Sequence, residues 1–262
     1  MTAHPDAWQV PAHTRAIYAA KRHAAVLVIP VINEGDRIRG QLRAIAELSP
    51  PVDIVIADGG SNDGSIAEDG LRAAGVRALL TKTGPGKLSA QLRMAYAWAL
   101  TEGYDLILTM DGNGKDGVEG ILTILEALED GHDYVQGSRY APGGRAINTP
   151  PSRWVAGRFI HAPVISLAAR HRFTDTTNGF RGYSARYLAD PRVRPFRGIF
   201  LEYNLLFYLS VRAARLGYRV CEVGVARAYP PTGQVPTKIG GIGGKLRLMG
   251  ELFAAAFGRY DP

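Results

Sequence analysis

AAVLVIPVINEG at residues 24–35, VDIVIADGGSNDG at 52–64 and DLILTMDGN at 105–113 share one plan. In each, a short apolar run breaks abruptly into acids, amides and glycines. Between the first two runs, Asp36 to Leu48 places Ile38, Leu42, Ile45 and Leu48 at helical spacing, and Pro50-Pro51 stops that helix. The alternation continues. Residues 65–74 predict a helix, 76–80 a strand, 88–100 a strong helix, 105–110 a strand, 117–128 a helix and 134–136 a short strand. Strands alternating with helices imply βαβ units: an α/β fold with a mostly parallel central sheet and helices on both faces.

The pattern changes after Gly137. Residues 141–144 are loop, 152–171 helical, and 174–186 a structured loop rich in Thr, Gly, Asn and Asp. A long apolar helix over 202–216 and a strand over 218–225 follow. The Gly- and Pro-rich stretch 230–244 leads to a short amphipathic helix at 245–257. No linker interrupts this. The expected organisation is an N-terminal extension (1–23), one domain (24–240, with halves 24–137 and 138–240) and a helical tail (241–262).

The chain has 262 residues, 46% of them hydrophobic and 21% charged, with a single cysteine, Cys221. That excludes a disulfide framework and a multi-cysteine zinc site. No run approaches the roughly 18 apolar residues of a spanning helix, and residues 1–23 lack a signal-peptide pattern. The expected location is cytoplasmic, with a peripheral contact at the inner membrane face open to the basic helices 152–171 and 245–257. The net charge of +7 is unevenly spread. Residues 1–133 hold 12 Lys and Arg against 18 Asp and Glu; residues 134–262 hold 19 against 6. A basic half beside an acidic one points to an anionic partner. Aromatic platforms for nucleobases are not evident, so nucleic acid is not the expected one.

In an open parallel sheet, ligands bind beyond the carboxyl ends of the strands. Here those ends carry Pro30, Asn33 and Glu34, then Asp58, then Asp111. Helix caps also favour Asp and Asn, but Asp58 and Asp111 each directly follow an apolar strand. Strand one runs into Asn-Glu-Gly and not into Gly-x-Gly-x-x-Gly, and the Walker pattern and Gly-x-Ser-x-Gly do not occur, which demotes dinucleotide enzymes, P-loop NTPases and nucleophile-elbow hydrolases.

The order Pro30-x-x-Asn33-Glu34, Ala57-Asp58-Gly59-Gly60-Ser61-Asn62-Asp63-Gly64, Asp111-Gly112-Asn113, Gly137-Ser138-Arg139-Tyr140 and Thr174 through Arg181 resembles the family 2 inverting glycosyltransferases. These have the GT-A fold. Within them the sequence resembles the dolichyl- and polyprenyl-phosphate sugar transferases. The resemblance implies a nucleoside-diphosphate sugar as donor, UDP- or GDP-linked, framed by Pro30, Asn33 and Glu34, with Asp58 on the base and Lys87 and Arg93 bordering it. It implies a Mg²⁺ or Mn²⁺ ion at an Asp-x-Asp motif, here Asp111-Gly112-Asn113, with Asp116 supplying the missing carboxylate.

The implied acceptor is a lipid phosphate or a hydroxyl. Asp175 is either a general base for a hydroxyl or the orienter of an arginine that binds a phosphate. Arg139 and Arg181 are fork-shaped phosphate binders. Glu202 is a second candidate base or a helix-start carboxylate. Lys238 lies in a loop suited to a diphosphate. The expected reaction is inverting transfer of a hexosyl or N-acetylhexosaminyl group to a polyprenyl phosphate, in cell-envelope or secondary-metabolite glycosylation. The alternatives are transfer to a hydroxyl of a glycan, lipid or small metabolite, and nucleotidyl transfer. Oligomeric state is unspecified.

Overall fold

A computed structural model describes residues 8–231 and 241–262. Its strands are β1 (His13–Ile17), β2 (Ala25–Val31), β3 (Asp53–Asp58), β4 (Val76–Lys82), β5 (Leu106–Thr109), β6 (Tyr134–Ser138), β7 (Arg145–Ile147), β8 (Arg181–Ser184), β9 (Val220–Gly224) and β10 (Ala226–Ala228). Its α-helices are α1 (Asp36–Leu48), α2 (Glu68–Ala73), α3 (Leu88–Thr101), α4 (Gly120–Glu129), α5 (Pro151–Ala156), α6 (Ala162–Ala169), α7 (Ala185–Leu188), α8 (Asn204–Arg215) and α9 (Gly241–Ala256).

The main sheet runs β1-β4-β3-β2-β5-β8-β6-β9, and β7 pairs with β10 apart from it. From β4 to β5 the pairing is parallel, as the alternation of strands and helices demands. All seven residues of β2 and all six of β3 are buried, since helices cover both faces. On one face α1 and α4 close a core with Ile38, Leu42, Ile45, Ile121 and Ile124. On the other, α3 is buried along its whole length from Ser89 to Ala99. Its small residues Ala90, Ala95, Ala97 and Ala99 bring it close to the sheet, and α8 covers it from outside.

Four features depart from expectation. The segment before residue 24, read as an extension, carries β1, which pairs antiparallel with β4 and forms one sheet edge. The loop expected over 174–186 contains β8. It lies antiparallel between β5 and β6, so both halves of the chain share one sheet. The helix expected over 152–171 is α5 and α6 joined by a π turn, Gly157–His161. Pro163 explains the wider turn: it has no N–H for the Phe159 carbonyl, and its ring crowds that oxygen.

The C-terminal helix begins at Gly241 rather than Lys245 and packs on α6 and α8 through Leu252 and Ala255. Leu246 and Phe253 remain exposed on it, as does Phe257 just past its end. Among the described residues no helix is long and apolar enough to cross a membrane.

Candidate functional site

The ends of β2, β3 and β5 lie side by side, because Val31 pairs with Asp58 and Val28 with Thr109. Asn33 turns the chain out of β2 with φ of 49°, a left-handed conformation that Asn tolerates. Its amide oxygen accepts from Asn62 N–H at 2.9 Å, and its own N–H donates to the Ser61 hydroxyl at 3.0 Å. Ser61 donates to Asp58 Oδ1 from both backbone, at 2.9 Å, and hydroxyl, at 2.7 Å. The two loops are thus one unit with the buried Asp58 at its root. Glu34 is held by Arg37 at 2.8 Å. Asp58→Ala is expected to weaken nucleotide binding by about 1–3 kcal/mol while the fold persists. Calorimetric titration of the folded variant checks this; unchanged affinity removes Asp58 from the site.

Asp111 follows β5 on a turn that the neighbouring strand dictates. Gly112 N–H donates to the Pro30 carbonyl at 3.2 Å, and a Cβ on Gly112 would stand 2.9 Å from that oxygen, so only glycine fits. Gln41 fixes the turn from α1. Its amide donates to the Asp111 carbonyl at 3.0 Å and accepts from Gly114 N–H at 2.9 Å. The 174–181 segment reaches the same carboxylate: a Cβ on Gly179 would collide with Asp111 Oδ1.

Asp111 Oδ2 accepts from Arg227 Nη2 at 3.0 Å and from the Asn113 amide at 3.3 Å. Arg227 Nη1 donates to Asp116 Oδ2 at 2.6 Å and to Asn178 Oδ1 at 3.3 Å. Asp116 is fully buried, and burial pushes its carboxyl up to about 6 in spite of Arg227. Asp116 therefore sits behind Arg227, away from solvent, and the expected role as an accessible metal ligand does not match that placement.

Arg139 and Asp175 form a buried bidentate pair, with Nε to Oδ2 at 2.7 Å and Nη2 to Oδ1 at 2.9 Å. Glu222 fixes the loop behind them, accepting from Thr174 N–H at 2.7 Å and Asp175 N–H at 3.0 Å. Burial acts to raise the Asp175 carboxyl, but the hydrogen bonds and charge of Arg139 outweigh it and hold it below its ordinary value. A buried carboxylate held this way is a poor general base. Its geometry fits the other reading, the orienter of an arginine. Nearby, the ring of buried Tyr229 has Arg153, Lys115 and Arg227 within 5.5, 5.4 and 5.9 Å of its centre. Burial raises that phenol, yet Arg227, Arg139 and Arg153 together pull it below its ordinary value. This is a strongly cationic wall beside Asp111.

Other expected residues fall elsewhere. Arg181 is buried in the core and donates to the carbonyls of Asn178, Leu206 and Thr176 and to Ser210, so its fork is spent on the fold, not on a phosphate. Arg93 is buried on α3 and holds the Arg197 carbonyl, which ties down the 194–198 loop rather than a nucleotide. Glu202 bridges Lys87 at 3.1 Å and Arg247 of α9 at 2.8 Å. Its carboxyl is desolvated upward, but these two cations hold it below its ordinary value, a clamp and not a base. Lys238 lies outside the described residues.

Gln41 and Arg227 were not anticipated. Gln41 had a legible signal, since it falls in the buried stripe Ile38, Leu42, Ile45 of α1.

Among the described residues no group of three His, Cys, Asp or Glu could hold a metal ion. The donor set still fits a hard cation in its simplest form. Asp111 is 23% exposed, and Gly179, having no Cβ, puts no side chain against its Oδ1. Asp111, with the amide oxygen of Asn113, is where such an ion would be held.

Residues 26–190 match the profile of Glycosyl transferase family 2. The chain is 32% identical over 211 residues to an undecaprenyl-phosphate mannosyltransferase of Micrococcus luteus, covering 76% of this chain and 81% of that protein. It is 28% identical over 205 residues to a polyprenol monophosphomannose synthase of Mycolicibacterium smegmatis, covering 76% of each. The fold is similar to that of glucosyl-3-phosphoglycerate synthase from Mycobacterium tuberculosis, solved with Mn²⁺, UDP and glucosyl-3-phosphoglycerate. There the TM-score is 0.64 at 16% identity, over 91% of this chain and 80% of that one. With the profile spanning well over half of the chain, and every strand-end residue that carried the resemblance gathered at one end of a GT-A sheet, this protein belongs to glycosyl transferase family 2.

Proposed function

We propose that the protein transfers a hexosyl group, with mannose the first to be tested, from a nucleoside-diphosphate sugar to a polyprenyl phosphate at a membrane surface. The observation that carries this is the cationic wall of Tyr229, Arg153, Lys115 and Arg139 beside Asp111. A phosphate acceptor is already ionised near neutral pH and needs no base, which agrees with Asp175 being committed to Arg139. The nucleotide would lie along the strand ends at Pro30, Asn33 and Asp58. A divalent ion held by Asp111 would offset charge on the leaving diphosphate.

Arg153 belongs to α5, and the residues that follow it support a lipid tail nearby. Trp154, Val155 and Ile160 are exposed, and Phe159 is 66% exposed. Arg158 and Arg170 flank them. Apolar side chains edged by arginines suit the interface of an anionic bilayer.

The test uses two acceptors, undecaprenyl phosphate in anionic vesicles and a short water-soluble prenyl phosphate, with UDP- and GDP-hexoses as donors. The expected product is an acid-labile sugar phosphodiester. Arg153→Ala should raise KM roughly tenfold for both acceptors, the cost of one charge-assisted contact, and leave the donor KM unchanged. Phe159→Glu should lose activity on vesicles alone. Transfer to hydroxyl acceptors only, or equal behaviour of both variants, overturns the reading.

A further inference from the structure

We propose that Arg227 is a resident counter-cation that keeps Asp111 a weak metal ligand until the donor diphosphate is bound. This rests on the function proposed above and adds a residue that controls the order of loading.

Asp111 lies at the mouth of the site, and one of its two oxygens is already engaged by Arg227 at 3.0 Å. The other residues of the turn do not make up the difference. Asn113 offers a neutral amide, and its nitrogen donates to the same Asp111 oxygen. Asp116 is turned inward onto Arg227 at 2.6 Å, with its second oxygen buried and unpartnered among the described residues. The arginine cannot swing away cheaply. Its guanidinium is buried, and leaving would strand the fully buried Asp116 without its counter-charge. Asn178 Oδ1 steadies it from the 174–181 loop.

A small divalent cation gives up its water reluctantly and is commonly held by one or two carboxylates together with substrate phosphates. Asp111, half-neutralised in advance, supplies less than that minimum. The missing negative charge must come with the diphosphate. Asp116 acts in this scheme as the anchor of Arg227 and not as a ligand.

The test is Mn²⁺ binding followed by electron paramagnetic resonance, with and without UDP or GDP, on folded protein verified by circular dichroism. Wild type should bind Mn²⁺ weakly alone and at least about tenfold more tightly with the right nucleoside diphosphate. Asp116→Asn, which leaves Arg227 to Asp111 alone, should weaken binding of Mn²⁺ by itself. Adding Arg227→Met to Asp116→Asn removes a single cation without stranding a buried acid. It should tighten that binding about tenfold relative to Asp116→Asn, the effect of one unit charge ~5 Å from a divalent ion even in water. If that pair fails to fold, Arg227→Gln with Asp116→Asn makes the same comparison with a hydrogen-bonding amide.

No tightening on removal of Arg227, with diphosphate-dependent binding intact in the wild type, overturns the role of Arg227 alone. Equally tight Mn²⁺ binding by the wild type with and without nucleotide also overturns it. No Mn²⁺ binding by the wild type even with both diphosphates overturns the metal reading on which this proposal rests.

Discussion

Asp111→Asn is expected to lower kcat/KM by about a thousandfold, equivalent to several kcal/mol of charge stabilisation at the leaving diphosphate. The substitution keeps the shape of the side chain. The backbone bonds that set the turn, from Gln41 to the Asp111 carbonyl and from Gly112 to Pro30, do not involve the carboxylate. Arg227 retains Asp116 and Asn178. The folded state should therefore survive, and the loss should fall on turnover and on Mn²⁺ binding in the presence of diphosphate. Steady-state kinetics over a range of Mn²⁺ concentrations checks this. Recovery of full activity at high Mn²⁺ would reduce Asp111 to a contributor to affinity, and unchanged activity would remove it from the chemistry.

Asp175→Asn should cost the fold about 3–5 kcal/mol, since it leaves Arg139 buried without a counter-charge. The pH dependence has a definite sign. The carboxyl is held below its ordinary value of 3.8 in the folded state, so its contribution is complete at neutral pH and is lost as pH falls through the depressed folded value. The stability gap between wild type and variant should stay constant from neutrality down to about pH 5 and narrow only in stronger acid. Urea titrations at several pH values measure it. Function separates the two sequence readings of Asp175. As the orienter of Arg139 its loss should damage transfer to phosphate acceptors. As a general base it would matter only for hydroxyls, and intact transfer to prenyl phosphate in the folded variant would restore that role.

The gathering of Asn33, Asp58 and Asp111 at one end of the sheet was readable because these residues sit where the hydrophobic pattern stops. A run such as Ala25–Val31 announces both a strand and its end, and the residue after the end is placed by topology alone. The arginines were not readable in the same way. Arg93, Arg139, Arg181 and Arg227 are all buried, yet nothing in a linear sequence separates a guanidinium spent on carbonyls from one open to a phosphate. That distinction depends on partners far along the chain, such as Leu206 for Arg181 and Asp116 for Arg227. β8 was missed because Arg-Gly-Tyr-Ser is four residues long, contains a glycine and follows a loop rich in Asn, Asp and Thr. Its strand state comes from the gap between β5 and β6, not from its own propensity. β1 was missed for a related reason: it is a short edge strand whose side chains are largely exposed, so it carries no apolar run.

The placement of β8 has a consequence for engineering. Gln136 of β6 pairs directly with Arg181 of β8, so the excursion that carries Arg153, the exposed apolar helix and Asp175 leaves and re-enters the sheet on adjacent strands. Residues 139–180 are thus a cassette with neighbouring ends, replaceable by the equivalent stretch of a relative without disturbing the β5–β8–β6 ladder. A chimera cut once at the boundary of the two halves would instead ask a foreign β8 to find its register against both β5 and β6. Acceptor preference in this scaffold should be exchanged by two cuts flanking the excursion rather than by one cut between halves.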